Sequence, residues 1–266
     1  MTEPRLGSKV RDYLLIERLA ATGVAATYRA TGPSGDVALK LYDGAGVPEP
    51  DATLAVQREL DHPAVARLVD AGELDDGGLF LATEWIDGTP LSALVARRAS
   101  WDSIRRIVGA IGSGLGALHA RGVVHRDLKP SDVIVPVRHA CAAVIVDASP
   151  TLRDGVAEPP VGIVHATAPY AAPERAAGLP VDGRADLYAL GVIMFQLLTG
   201  RFPDEGERDP ELHKMPPVAQ ALCAWLLEPD RDARLPNAHV LAVTIGATAS
   251  ELGAMSGATV EARTPA

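Results

Sequence analysis

The chain has 266 residues, 47% of them hydrophobic, and a formal net charge of −9 from 25 Lys+Arg against 34 Asp+Glu. That is enough for one large domain or two modest lobes with real cores, and too apolar for a disordered chain. The acidic balance argues against nucleic acid as a partner, where a basic face is expected, and any anionic ligand needs a local cradle of positive charge. Met1 to Gly7 carries charges and lacks the apolar core of a signal peptide, and no run approaches the roughly 18 apolar residues of a membrane span. The chain therefore reads as soluble and cytoplasmic, without membrane contact. Cys141 and Cys223 are the only cysteines, each in an apolar setting. Counting alone permits a disulfide; two reduced, buried thiols is the preferred reading.

Residues 10–42 read as strands and turns, ending in VALKLY (37–42), an apolar run with the single Lys40 in it. DGAGVPEP (43–50) is a loop by its Gly and Pro content. A short helix is expected from about Ala52 to Leu60, with Asp51 as N-cap and His62-Pro63 stopping it. VARLVDAGEL (65–74) and GGLFLATEWI (77–86) form a strand pair around the turn at 75–78. After Gly88 the pattern turns helical. Residues 103–122 place apolar side chains at 104, 107, 108, 111, 115 and 118, a 3.6-residue period kept despite several glycines. Residues 185–200 form a second strong helix closed by Gly200, with shorter helices around 217–227 and 236–247 and a frayed tail beyond. Between the two long helices, VVHRDLKPSDVIV (123–135) crowds His125, Arg126, Asp127, Lys129 and Asp132 onto a loop. Its β-branched flanks predict short strands on either side.

The ordered set of VALK (37–40), HRDLKPSD (125–132), Asp147 of DAS (147–149), APE (172–174), DLYALG (186–191) and Arg234 resembles the eukaryotic-type protein kinase family in its bacterial Ser/Thr branch. The resemblance covers roughly residues 10–245. It implies an α+β, bilobal fold: a small β-rich lobe with one short helix over about 10–87, a larger mainly helical lobe over about 88–247, and a flexible tail at 248–266. It also implies ATP as phosphoryl donor, Mg²⁺, and a protein substrate or regulatory protein partner; tolerance of Mn²⁺ is expected from the extra carboxylate at Asp132 instead. Lys40 would reach the α- and β-phosphates, Asp127 would take or orient the proton of the attacking hydroxyl, and Lys129 would steady the γ-phosphate, as in members that modify Ser/Thr. Asp132 and Asp147 would hold the metal. The base would lie between Ala38 and Ile134, with hinge hydrogen bonds from the backbone of Glu84 and Ile86 behind a small Thr83. Leu19, Ala20, Ala21, Thr22, Gly23, Val24, Ala25, Ala26 and Thr27 would form the loop over the phosphates. His125, Arg126, Glu174, Asp186 and Arg234 resemble scaffold residues of the family. Among them are a buried Glu174–Arg234 ion pair and an Asp186 that bonds the catalytic-loop backbone.

Four departures bear on activity. The expected G-x-G-x-x-G places hold Ala20, Thr22 and Ala25, with only Gly23 surviving beside them, which weakens phosphate cradling. Thr27 replaces the usual Val over the base. The helix Glu that should pair with Lys40 is absent: counting back from Leu60 gives Thr53, and Glu59 lies about 240° around the helix from it. DFG has become DAS, so Ala148 replaces an aromatic plug that would couple the metal site to the helix. Asp132 stands where the family has Asn, and a second carboxylate ~4 Å from Asp147 would repel it by ~4 kcal/mol unless a divalent ion sits between them. In the activation segment the Ser/Thr residues are Ser149, Thr151 and Thr167, Thr167 matching the substrate-loop Thr that contacts Asp127. Pro159 and Val161 occupy the places where relatives carry phosphothreonine, leaving Glu158 or Asp154 as carboxylates for Arg126. Two readings follow: a divergent Ser/Thr kinase that keeps its charged machinery, or a pseudokinase that binds nucleotide or none and presents a surface to partners.

Overall fold

The structure is a computed structural model describing residues 5–22, 25–42, 51–97, 99–138, 142–148, 168–203 and 212–246. In chain order the first elements are β1 (Lys9–Val10), β2 (Tyr13–Ala21), β3 (Ala25–Gly32), β4 (Gly35–Tyr42), α1 (Asp51–Glu59), β5 (Leu68–Glu73) and β6 (Leu79–Glu84). The six strands form one antiparallel sheet in the order β1-β2-β3-β4-β6-β5. The β3–β4 hairpin closes on Pro33-Ser34 with Gly32 opposite Gly35, whose φ of 117° only glycine adopts readily. Alternation along β4 sends Leu39 and Leu41 into a core with Tyr13, Leu15, Tyr28 and Phe80. Ala38, Lys40 and Tyr42 therefore share the opposite face. Tyr42 packs there with Leu54 of α1 and with Leu68, Leu79 and Leu81, so the short helix docks on the sheet through an aromatic neighbour of Lys40. Asp51, expected just outside that helix, is its first residue.

The second part is built on α2 (Trp101–His119), α3 (Pro173–Ala176), α4 (Gly183–Thr199), α5 (Pro217–Leu226) and α6 (Ala238–Ile245). Their ends follow local chemistry. Ser100, Asp182 and Asn237 cap α2, α4 and α6 by accepting hydrogen bonds from first-turn amides. Gly200 ends α4 in the left-handed conformation, φ 78°. Helix α4 is buried on nearly all sides, with Leu187, Leu190 and Ile193 against Ile111, Leu115, Leu222 and Leu226. The mid-helix glycines are contact points: a Cβ at Gly112 would stand 2.7 Å from Leu241 of α6, and one at Gly191 2.7 Å from Leu226 of α5. Close helix approach offsets the helix cost of glycine there.

A small sheet, β7 (Gly88–Pro90), β8 (Val133–Pro136) and β9 (Val144–Ile145), joins the two parts. The strand expected before the polar loop is absent; Val123 makes only a single bridge, and β8 alone flanks the loop. Two- and three-residue strands carry too little alternation to be read from sequence. Cys223 is a buried free thiol, pushed up to about 12 by burial; Cys141 and the tail lie outside the described residues. Among the described residues no helix is long and apolar enough to cross a membrane.

Candidate active site

The polar loop at 125–132 is organised from below. Asp186, fully buried on the first turn of α4, accepts hydrogen bonds from the backbone N–H of His125 (2.8 Å) and Arg126 (2.6 Å) and pairs with His119 Nε2 at 2.7 Å. Arg126 sits at φ 67°, a conformation costing a non-glycine residue ~1–3 kcal/mol that these bonds hold in place. The His125 ring is buried, and neither of its nitrogens finds a hydrogen-bond partner among the described residues, in keeping with a packing role. Asp127 emerges part-exposed between two cations. Lys129 Nζ lies 2.5 Å from its Oδ2, and Arg175 Nη1 lies 3.3 Å from its Oδ1. Asp132 is buried under the loop, accepting from the Lys129 N–H (3.2 Å) and the Ser131 hydroxyl (3.1 Å), with Lys129 Nζ at 3.6 Å.

Across the cleft, Lys40 on β4 forms a 2.5 Å ion pair with Asp147 Oδ2, which follows β9. Burial pulls the Lys40 ammonium down, but Asp147 and then Tyr42 outweigh it and hold it above the ordinary lysine value. Tyr42, two residues along the strand, brings its ring centroid to 5.2 Å from Nζ, and its hydroxyl supports the ammonium as well. The lysine thus has a carboxylate and an aromatic neighbour; Glu59 of α1 points to solvent, while the side chains of Asp51 and Thr53 lie outside the described residues. The place of the aromatic plug is taken differently. Ala148 packs its methyl against the main core, and Gln57 of α1 donates its side-chain amide to the Ala148 carbonyl.

The remaining charges form one field. Burial raises Asp132 to about 6; His125 and Lys129 oppose this, and the charges of Asp147 and Asp127 add to it. Lys129 is raised, since Asp132, Asp127 and Asp147 together overcome its desolvation. Two carboxylates in each other's field, one part-exposed and one buried, fit a hard cation. Among the described residues no three His, Cys, Asp or Glu side chains form a metal cage, but Mg²⁺ at a phosphate site takes only one or two carboxylates and completes its shell with phosphate and water.

Beside this field, Ile86, Ile134, Val144 and Val146 form an apolar cluster with Ala66, so the two aliphatic positions assigned to the base and hinge meet. Ala38 faces the cleft one strand over, opposite Thr83, whose hydroxyl reaches the Ala38 carbonyl at 3.5 Å. The N–H of Glu84 donates to the Arg67 carbonyl, leaving the Glu84 carbonyl as its hinge group. The Leu19–Thr27 loop is the β2–β3 hairpin, with Ala20 opposite Thr27 and Ala21 opposite Ala26. Thr22 Oγ1 accepts from the Ala25 N–H at 3.1 Å, occupying an amide that a phosphate cradle would use. Gly23 and Val24 lie outside the described residues, as do Ser149, Thr151, Asp154, Glu158, Pro159, Val161 and Thr167. Behind the site Arg234 grips Glu174 with two bonds of 2.7 and 2.9 Å, stacks over Tyr188 at 5.0 Å, and donates to three backbone carbonyls.

Sequence reading missed Arg175, Tyr42 and Gln57. Arg175 carries no signal beyond its place after Glu174. Tyr42 reads as one more apolar strand residue. Gln57 could have been flagged as a polar residue one helical turn from Thr53, on the inward face.

A family model described as the protein kinase domain matches residues 50–243. Serine/threonine-protein kinase Pkn1 of Myxococcus xanthus is 33% identical over 222 residues, covering 77% of this chain and 31% of that protein. PknD of Mycobacterium tuberculosis is 33% identical over 231 residues, covering 82% of this chain and 34% of that one. The chain spans about a third of the length of these curated relatives. The crystal structure of the Mycobacterium tuberculosis PknI kinase domain superposes with a TM-score of 0.68 at 24% identity, covering 91% of this chain and 98% of that one. Rad53 in complex with AMP-PNP superposes at 0.70 and 22% identity, covering 88% and 65%. These two support the bilobal fold, and the matched family model supports the rest: the chain belongs to the protein kinase domain family, in the company of bacterial Ser/Thr kinases.

Proposed function

We propose that the chain transfers the γ-phosphoryl group of ATP to Ser or Thr hydroxyls of protein substrates. One observation carries this reading: Lys40, brought across 107 residues onto Asp147, faces an Asp127 held between Lys129 and Arg175. Phosphoryl transfer asks for positioning and charge neutralisation rather than covalent chemistry. Lys40 binds the α- and β-phosphates. Asp127 orients the substrate hydroxyl and takes its proton as the oxygen–phosphorus bond forms and the bond to the leaving ADP breaks. Lys129 neutralises charge on the γ-phosphate, and Ala38, Ile86 and Ile134 enclose the base. Asp147 and Asp132 would hold a Mg²⁺, which would supply neutralisation of phosphate charge. The scaffold-only reading gives no account of an aspartate kept between two cations in the cleft. The buried free thiol of Cys223 fits a reducing, cytoplasmic setting.

Incubation with labelled ATP, Mg²⁺ or Mn²⁺ and casein is expected to yield phosphoserine and phosphothreonine. No labelled product with either metal contradicts the proposal. Two further results are expected. Because Asp132 adds a carboxylate beside Asp147, chelating the metal is expected to weaken ATP binding at least ~10-fold by calorimetry, with Mn²⁺ restoring it as well as Mg²⁺. Strong metal-free binding would sink that account. Tyr42→Phe removes one hydroxyl from Lys40 and keeps the ring; a hydrogen bond worth ~1 kcal/mol predicts a roughly fivefold rise in the Kd for ATP. An unchanged Kd would show that the Tyr42 hydroxyl contributes nothing to holding the ammonium.

A further inference from the structure

Gln57 is a buried polar side chain in a short helix, and its amide crosses 91 residues of sequence to the Ala148 carbonyl. A carbonyl only accepts, so the amide nitrogen must face it, which fixes the orientation of the Gln57 side chain. The acceptor belongs to the residue directly after Asp147. The segment 146–148 is consequently tied three ways: the Val146 N–H to the Asp132 carbonyl at 2.8 Å, the Asp147 carboxylate to Lys40 at 2.5 Å, and the Ala148 carbonyl to α1. An apolar side chain at 57 would offer no donor to that carbonyl, and the methyl of Ala148 is smaller than the aromatic plug it replaces. An amide reaches past that methyl to the backbone. Gln57 and Ala148 make sense as a pair.

We propose that Gln57 is a positioning residue: its hydrogen bond fixes the Ala148 carbonyl, one residue past Asp147, to α1 and thereby sets the direction in which the Asp147 carboxylate would meet a metal ion. This rests on the reading of Asp147 as the metal carboxylate. Helix position is then transmitted to the metal side of the site by a neutral amide.

The test compares wild type with Gln57→Met, which keeps length and helix propensity but has no donor. Calorimetry measures ATP affinity with Mg²⁺ and with EDTA, and hydrogen exchange followed by mass spectrometry reads peptides spanning 142–148. In Gln57→Met the enhancement of ATP affinity by Mg²⁺ is expected to fall ~10-fold, within the range for a polar group that loses its partner. Metal-free affinity should stay within about twofold, and exchange across 142–148 should rise. A residue with only a structural role would lower both affinities together, and that result overturns the proposal. So does an unchanged Mg²⁺ enhancement with unchanged exchange. Gln57→Asn, one methylene too short to reach, keeps the test available if the Met variant does not fold, and it should move both readouts in the same direction. A wild type whose ATP binding ignores Mg²⁺ overturns the metal reading of Asp147 itself, whereas a responsive wild type matched by its variant overturns Gln57 alone.

Discussion

Arg234→Met is expected to destabilise the protein by ~3–5 kcal/mol, read as a shift in the urea midpoint. The guanidinium is fully buried against a nearly buried Glu174, and removing one member leaves the other charge uncompensated in a poorly solvated place. The arginine also satisfies the carbonyls of Glu228, Arg184 and Pro229, which lose their donor at the same time. The double variant Glu174→Met/Arg234→Met is expected to recover part of the loss, because the stranded carboxylate goes, but not all of it, because the three carbonyls lose the arginine donor. If the single variant melts like wild type, the pair does not hold α3 to the back of the molecule.

The second large effect falls on rate. Asp127→Asn is expected to cut phosphoryl transfer ~10²–10⁴-fold, the usual contribution of a positioned acid–base group, while leaving the fold and ATP binding in place. Asn keeps the volume, and Lys129 and Arg175 can still approach its carbonyl oxygen, so the neighbourhood changes little except in charge. What is lost is the carboxylate that accepts the proton. A variant with full rate would mean that the proton leaves by another route.

The ordered motifs and the long amphipathic helices carried the fold. The period at 104, 107, 108, 111, 115 and 118 marks α2 because each of those positions faces the helical core, and Gly200 marks the end of α4 by its left-handed φ. The charged members of the site were readable for a related reason: a Lys in an apolar strand and a dense polar loop between apolar flanks both stand out against their surroundings. The neutral members did not. Tyr42 matters because alternation puts it on the face of Lys40 and because α1 packs there through Leu54. Gln57 matters because the chain returns 91 residues later with Ala148 opposite it. Arg175 reaches Asp127 only once α3 is folded beneath the catalytic loop. Alternation and helical position place Tyr42 and Gln57 on the right faces, but what each of the three meets there is set by long-range packing. The matched family span begins at residue 50, after the hairpin where Ala20, Thr22 and Ala25 stand in the glycine places.

The most direct test of the central claim is the intact mass of phosphatase-treated protein after incubation with ATP and Mg²⁺ or Mn²⁺, beside Asp127→Asn. Phosphate gained by the wild type and not by the variant is the predicted result. Equal gain in both, or none in wild type together with no transfer to casein, would contradict a phosphoryl-transfer site built on Asp127.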